Sequence, residues 1–185
     1  MIRPTTRRSP ARITVCVLLL LCILALMTVI FRFSSESKTD SGDRSGRVTE
    51  TIAALIVPDY RDLPSAEQEE IVHRLHYPIR KLAHMSEYAL LAVLTASLLV
   101  AWDMEEKLSI WKKLLSALIF SLLYAASDET HQIFSHRGAS VTDVLIDGLG
   151  AVLGLALFWG VYALILRARR RKGVSHADHP IPPQL

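Results

Sequence analysis

Three stretches of this chain carry acids, bases and cations at helical spacing. Lys81, His84 and Tyr88 fall at i, i+3 and i+7, with Glu87 beside them. Tyr124, Asp128 and His131 repeat the pattern, accompanied by Glu129 and Gln132. Asp143 and Asp147 are one turn apart and are followed by Gly150 and Gly154. Such spacings gather side chains on one face of a helix. Imidazole beside carboxylate is suited to moving protons near neutral pH. Lysine and arginine are suited to gripping an anion, arginine bidentately.

The surrounding residues say where these groups sit. Of 185 residues, 51% are hydrophobic, and they fall in blocks. Residues 13–31, 82–102, 114–126 and 144–166 are mostly apolar. About 20 helical residues cross the hydrocarbon. The third block reaches that length only if it starts near Leu108, with Lys112 and Lys113 snorkelling to the headgroups. The sequence therefore predicts an all-α, integral membrane four-helix bundle. The expected organisation is a basic cytoplasmic lead (1–12), a first span (13–33), a 47-residue outer loop (34–80), a core (81–166) and a basic cytoplasmic tail (167–185). Within the core the spans are expected at 81–102, 108–128 and 141–166.

Charge placement sets the orientation. Arg3, Arg7, Arg8 and Arg12 precede the first span, and Arg167, Arg169, Arg170, Arg171 and Lys172 follow the last. The positive-inside rule makes both termini cytoplasmic, as an even number of spans requires. A cleaved signal peptide is the rival explanation of the first block, with Ser35 and Ser37 before the cut. The block's length favours an uncleaved anchor. The net charge of +3 gives no reason to invoke nucleic acid. The two cysteines, Cys16 and Cys22, face different directions on one helix, so no local disulfide is expected.

The outer loop is predicted to contain short amphipathic helices. Val48, Ile52, Leu55 and Ile56 form an apolar stripe that stops at Pro58. Ser65 and Gln68 form a candidate capping box for a second piece ending near Pro78. Ser140 and Asp143 form another candidate box at the start of the fourth span.

In this topology the polar stripes meet at one outward-facing level. Ionisable groups bordering membrane helices are costly, so they usually face a bundle interior or a wet cavity. Candidates for proton transfer are His84, Glu87, Asp128, His131 and Asp143. Candidates for ligand binding are Lys81, Tyr88, Glu129, Gln132, Arg137 and Asp147. Below them come Ala92, Ala96, Ala117, Ser121, Gly150 and Gly154, small residues that allow close helix packing. A structural alternative stands beside this one, in which pairs such as Lys81–Asp147 or Arg137–Glu87 only lock the helices. The acid–histidine pairs His84/Glu87 and Asp128/His131 also have a bundle metal-site spacing. The neighbouring cations Lys81 and Arg137 oppose a metal, so neither a metal nor another cofactor is expected.

The ordered combination Arg80-Lys81-Leu82-Ala83-His84-Met85-Ser86-Glu87-Tyr88, Asp128-Glu129-Thr130-His131-Gln132, Arg137 to Asp143, Asp147, Gly150 and Gly154 resembles the VanZ-like family. The likeness spans residues from about 48 to 166. The family is named for a protein linked to teicoplanin resistance in Gram-positive bacteria. The resemblance implies a multi-pass protein of the bacterial plasma membrane acting on the cell envelope, with membrane lipids or lipid-linked envelope precursors as partners. It supplies no reaction. The function expected is binding or processing of an anionic envelope molecule, such as a lipid, a polyprenyl phosphate or a wall precursor. The alternatives are a structural or partner-binding membrane protein and a proton-coupled carrier. With four spans, a carrier would have to form a homo-oligomer.

Overall fold

The computed structural model describes residues 9–34, 38–103, 107–134 and 140–177. All regular structure in them is helical: α1 (Pro10–Ser34), α2 (Lys38–Ile56), a 3-10 turn (Tyr60–Asp62), α3 (Ser65–Trp102), α4 (Ile110–Phe134) and α5 (Val141–Ala177). Helices α1, α3, α4 and α5 are long and apolar enough to cross a membrane.

The packing follows side-chain size. Helix α3 packs most extensively on α5. A Cβ on Gly150 would collide with the backbone of Met85, and one on Gly154 would lie 2.5 Å from the Ala89 carbonyl oxygen. Both positions need glycine because two backbones nearly touch. Ala92, Ala96, Ala117 and Ala151 continue this seam fully buried. Helix α1 joins by a narrower stripe: only Cys16, Ile23, Ile30 and Ser34 are buried, against α3 and α4. Its other faces carry exposed Leu18, Leu21 and Leu24, as a lipid-facing helix would. Cys22 is likewise exposed.

Several local expectations need correcting. Pro78 does not end a helix; α3 runs through it for 38 residues, roughly 57 Å at helical rise. That is nearly twice the hydrocarbon thickness of about 30 Å. Its first half therefore extends beyond the layer spanned by its second. Ser65 is no cap: Pro64 occupies that position, and Gln68 Nε2 donates to the Leu63 carbonyl at 2.9 Å. Proline is acceptable there because the first helical N–H groups lack intrahelical partners anyway. Asp59 adopts a left-handed conformation, φ 53°, and so turns the chain from α2 into the 3-10 turn.

Lys113 does not snorkel. It is buried, with Nζ 2.9 Å from Asp103 Oδ2, while Lys112 is exposed. Asp103 also accepts the backbone N–H groups of Lys107 and Leu108, closing the α3–α4 connection. At the same end Arg12 Nε donates to the Ala101 carbonyl at 2.6 Å. This cation meets a helix C-terminus, where carbonyls lack partners and the dipole is negative. The exposed rings of Trp102 and Trp111 mark this end as one interface of the bundle.

Candidate functional site

The opposite end of the bundle gathers the ionisable groups. Arg80, Lys81 and His84 of α3, Glu129 and Gln132 of α4, and Asp143 and Asp147 of α5 line one cavity. Lys81 Nζ lies 2.5 Å from Asp143 Oδ1, joining α3 to α5. The expected lock had Asp147 as the partner; Asp143 takes that place, one turn nearer the helix end. Asp147 is buried on the cavity wall. His84 Nδ1 stands 3.6 Å from Glu87 Oε2, an ion-pair distance but long for a hydrogen bond.

A second group lies on the α1 side. Ser34 Oγ donates to Asp128 Oδ2 at 2.6 Å. Gln132 Nε2 donates to Ser34 Oγ at 2.9 Å and to Glu129 Oε2 at 3.2 Å. Asp128, Glu129, Gln132 and Ser34 are all buried. Each of these hydrogen bonds sets a donor against an acceptor, as burial of polar groups favours. Gln132 thus bridges the α1-side group and the cavity.

Glu129 has a further task. Its Oε1 accepts the backbone N–H of Ser140 at 2.5 Å. Ser140 stands just before α5, where the predicted box would have used Asp143. Asp143 is committed to Lys81, so a carboxylate from the preceding helix serves the N-terminus of the next.

Not every predicted residue joins the cavity. His131 turns toward α1 and packs on Phe31, ring centroids 4.5 Å apart. Tyr88 lies fully buried, 6.3 Å from the Tyr124 ring, and its hydroxyl has no hydrogen-bond partner among the described residues. Tyr124 Oη instead donates to the Met27 carbonyl of α1 at 2.6 Å. Arg137 lies outside the described residues.

Two participants were missed by the sequence argument. Ser34 was assigned to the outer loop, and a lone serine at a span's end gives no signal. Arg80 appeared there only within the family-like motif, although it adjoins Lys81 on the same helix.

The cavity itself is small, about 10 Å³, room for one water. The sequence suggested an opening above the small-residue seam; the side chains close over it. Among the described residues no three of His, Cys, Asp and Glu come together as a metal site would require.

The family described as VanZ/LLP1 matches residues 19–166. The chain belongs to the VanZ/LLP1 family. That match includes the four spanning helices' core and every candidate residue above. Comparison with curated proteins and with solved structures gives no match. The VanZ-like core is thus an all-helical bundle with four apolar helices and a polar cluster at one end.

Proposed function

We propose that this VanZ-like protein binds the anionic part of an envelope lipid or lipid-linked wall precursor at its polar cluster, on the outer face of the bacterial plasma membrane. The orientation rests on Arg167, Arg169, Arg170 and Arg171, which follow the apolar part of α5 at the end away from the cluster. The observation that carries the site is Arg80. It is half-buried on the cavity wall and has no ion-pair partner among the described residues, whereas Lys81 is already neutralised by Asp143. The carboxylates of Asp128 and Glu129 are likewise committed to Ser34, Gln132 and Ser140. The cation left unpaired on the cavity wall is therefore a guanidinium, the group suited to bidentate phosphate contact. A cavity with room for one water does not swallow a headgroup. The anion meets the cluster from the Arg80 side, and His84 with Glu87 supplies proton transfer if a reaction follows. Altered wall-precursor access would then be the route to any effect on teicoplanin susceptibility.

The rival is a brace. It is favoured by the Lys81–Asp143 and Ser34–Asp128 contacts, each of which ties two helices. Binding of a polyprenyl phosphate analogue to protein in nanodiscs separates the two, with melting temperature measured alongside. Arg80→Gln is expected to weaken binding at least tenfold at unchanged melting temperature. Unchanged binding would remove Arg80 from the site and leave the brace.

A further inference from the structure

The segment before the bundle borders open clefts of its own. Helix α2, the 3-10 turn and the first three turns of α3 surround a cavity of about 730 Å³, lined by Glu50, Tyr60, Glu69, His73, His76 and Tyr77 among others. This is the size of a small-molecule site. A neighbouring cavity of about 520 Å³ is lined by Arg47 and Arg61 and shares Glu50, Tyr60 and Gln68 with the first.

The two cavities differ in charge. Among the described residues the first is lined by two carboxylates, Glu50 and Glu69, and by no lysine or arginine. The second presents two guanidinium groups, with the shared Glu50 at its margin toward the first. Arg47, Arg61, Glu50 and Glu69 make no ion pair among the described residues, although Arg74 and Glu70 next to them pair at 2.5 Å. Tyr60 is buried where the two cavities meet. Burial and the neighbouring Glu50 push its phenol pKa up, so it remains a neutral hydroxyl. His76 Nε2 is fixed 2.6 Å from Ser45 Oγ. Gly46 lines the first cavity, and a Cβ there would meet nothing within 4 Å among the described residues. An interior helix glycine is unfavourable relative to alanine. Here its place on the wall leaves the cavity wide.

We infer that the paired cavities form a second binding site, for a small zwitterion that carries an ammonium group and a phosphate or carboxylate. The ammonium faces Glu50 and Glu69, with the Tyr60 and Tyr77 rings as an aromatic wall. The anion faces Arg47 and Arg61. Neither half of the pair suits a singly charged ligand as well, because the other half would be left facing unpaired charge. A phosphoethanolamine group has this chemistry, whether as a lipid headgroup or as a free solute. Tyr77 also places the site next to the bundle cluster: Lys81 Nζ lies 5.2 Å from its ring centroid.

The test uses the full chain in nanodiscs and calorimetric titration with phosphoethanolamine, ethanolamine and inorganic phosphate. Phosphoethanolamine is expected to bind at least tenfold more tightly than either half. Gly46→Trp should fill the first cavity and abolish that binding, and Arg61→Gln should reduce it to the level of ethanolamine. Native mass spectrometry distinguishes the sources. Retention of phosphatidylethanolamine over phosphatidylglycerol, lost in Gly46→Trp, assigns a lipid headgroup; titration that is equal in both lipids assigns a free solute. Equal binding of the intact zwitterion and its halves overturns the inference. So does binding that survives Arg61→Gln and Gly46→Trp.

Discussion

Ser34 and Asp128 meet through a 2.6 Å hydrogen bond across 94 positions of sequence. Away from Ser34, helix α1 is held by apolar packing, the Tyr124 hydroxyl, the Phe31–His131 ring contact and the Arg12 guanidinium at its far end. This bond makes the last residue of the first span part of the polar cluster. Ser34→Ala removes one bond that Asp128 accepts and one that Gln132 donates. A buried acceptor deprived of its donor costs about 1–3 kcal/mol. The expected result is a lower melting temperature in detergent, with substantial recovery in Ser34→Thr. An unchanged melting temperature in Ser34→Ala would mean that the bond contributes nothing.

The α3–α5 seam gives a graded steric series. Gly150→Ala and Gly154→Ala each place a methyl against backbone atoms, of Met85 and Ala89 respectively. Backbone cannot rotate away, so each is expected to cost about 1–3 kcal/mol or more. Gly160 has nothing within 4 Å of its Cβ direction. Gly160→Ala should therefore be neutral or gain about 0.5–1 kcal/mol. Thermal unfolding of the three variants checks the order.

Tyr88 separates stability from activity. Its hydroxyl is buried without a partner among the described residues, so Tyr88→Phe should leave stability unchanged or raise it by about 1 kcal/mol. Loss of the proposed anion-binding activity in a fully stable Tyr88→Phe variant would assign that hydroxyl to a ligand or to an ordered water. Activity retained would make it a packing residue.

At the other end of the bundle, Asp103 predicts a pH dependence. Its hydrogen bond with Lys113, and then those from the Leu108 and Lys107 N–H groups, hold its carboxyl below the ordinary carboxylate range. A folded-state pKa below the unfolded value means stability that is fully present above about pH 4. That contribution falls as pH drops through the folded value. The melting-temperature advantage of the native chain over Asp103→Asn should therefore be constant near neutrality and vanish in acid. An advantage that persists in strong acid would contradict the assignment.

The large-scale architecture was legible because apolar blocks long enough to span a bilayer have few alternatives. The small-residue seam was equally plain, since Gly150, Gly154, Ala92 and Ala96 all lie on contact faces. Partner choice was harder. Asp143 and Asp147 differ by one turn, and sequence spacing alone cannot tell which one Lys81 reaches. Pro78 misled because proline usually ends helices, yet here α3 continues with one hydrogen bond fewer. Lys113 misled because snorkelling is the ordinary behaviour of a lysine at a span's edge, and nothing local announced Asp103 as its partner across the turn. Ser34 was invisible for a related reason: its importance comes entirely from a residue on another helix.

Pro78 sits between Tyr77, which lines the outer cavity, and Arg80, which lines the cluster. Having no N–H, it leaves the Arg74 carbonyl without its helical donor. It is the proline inside this long helix, and proline is where helices kink. Flexing of the α2-side segment against the bundle is thereby concentrated at this joint. Tyr77 and Lys81, in contact across that joint, are the two side chains whose separation would register its angle.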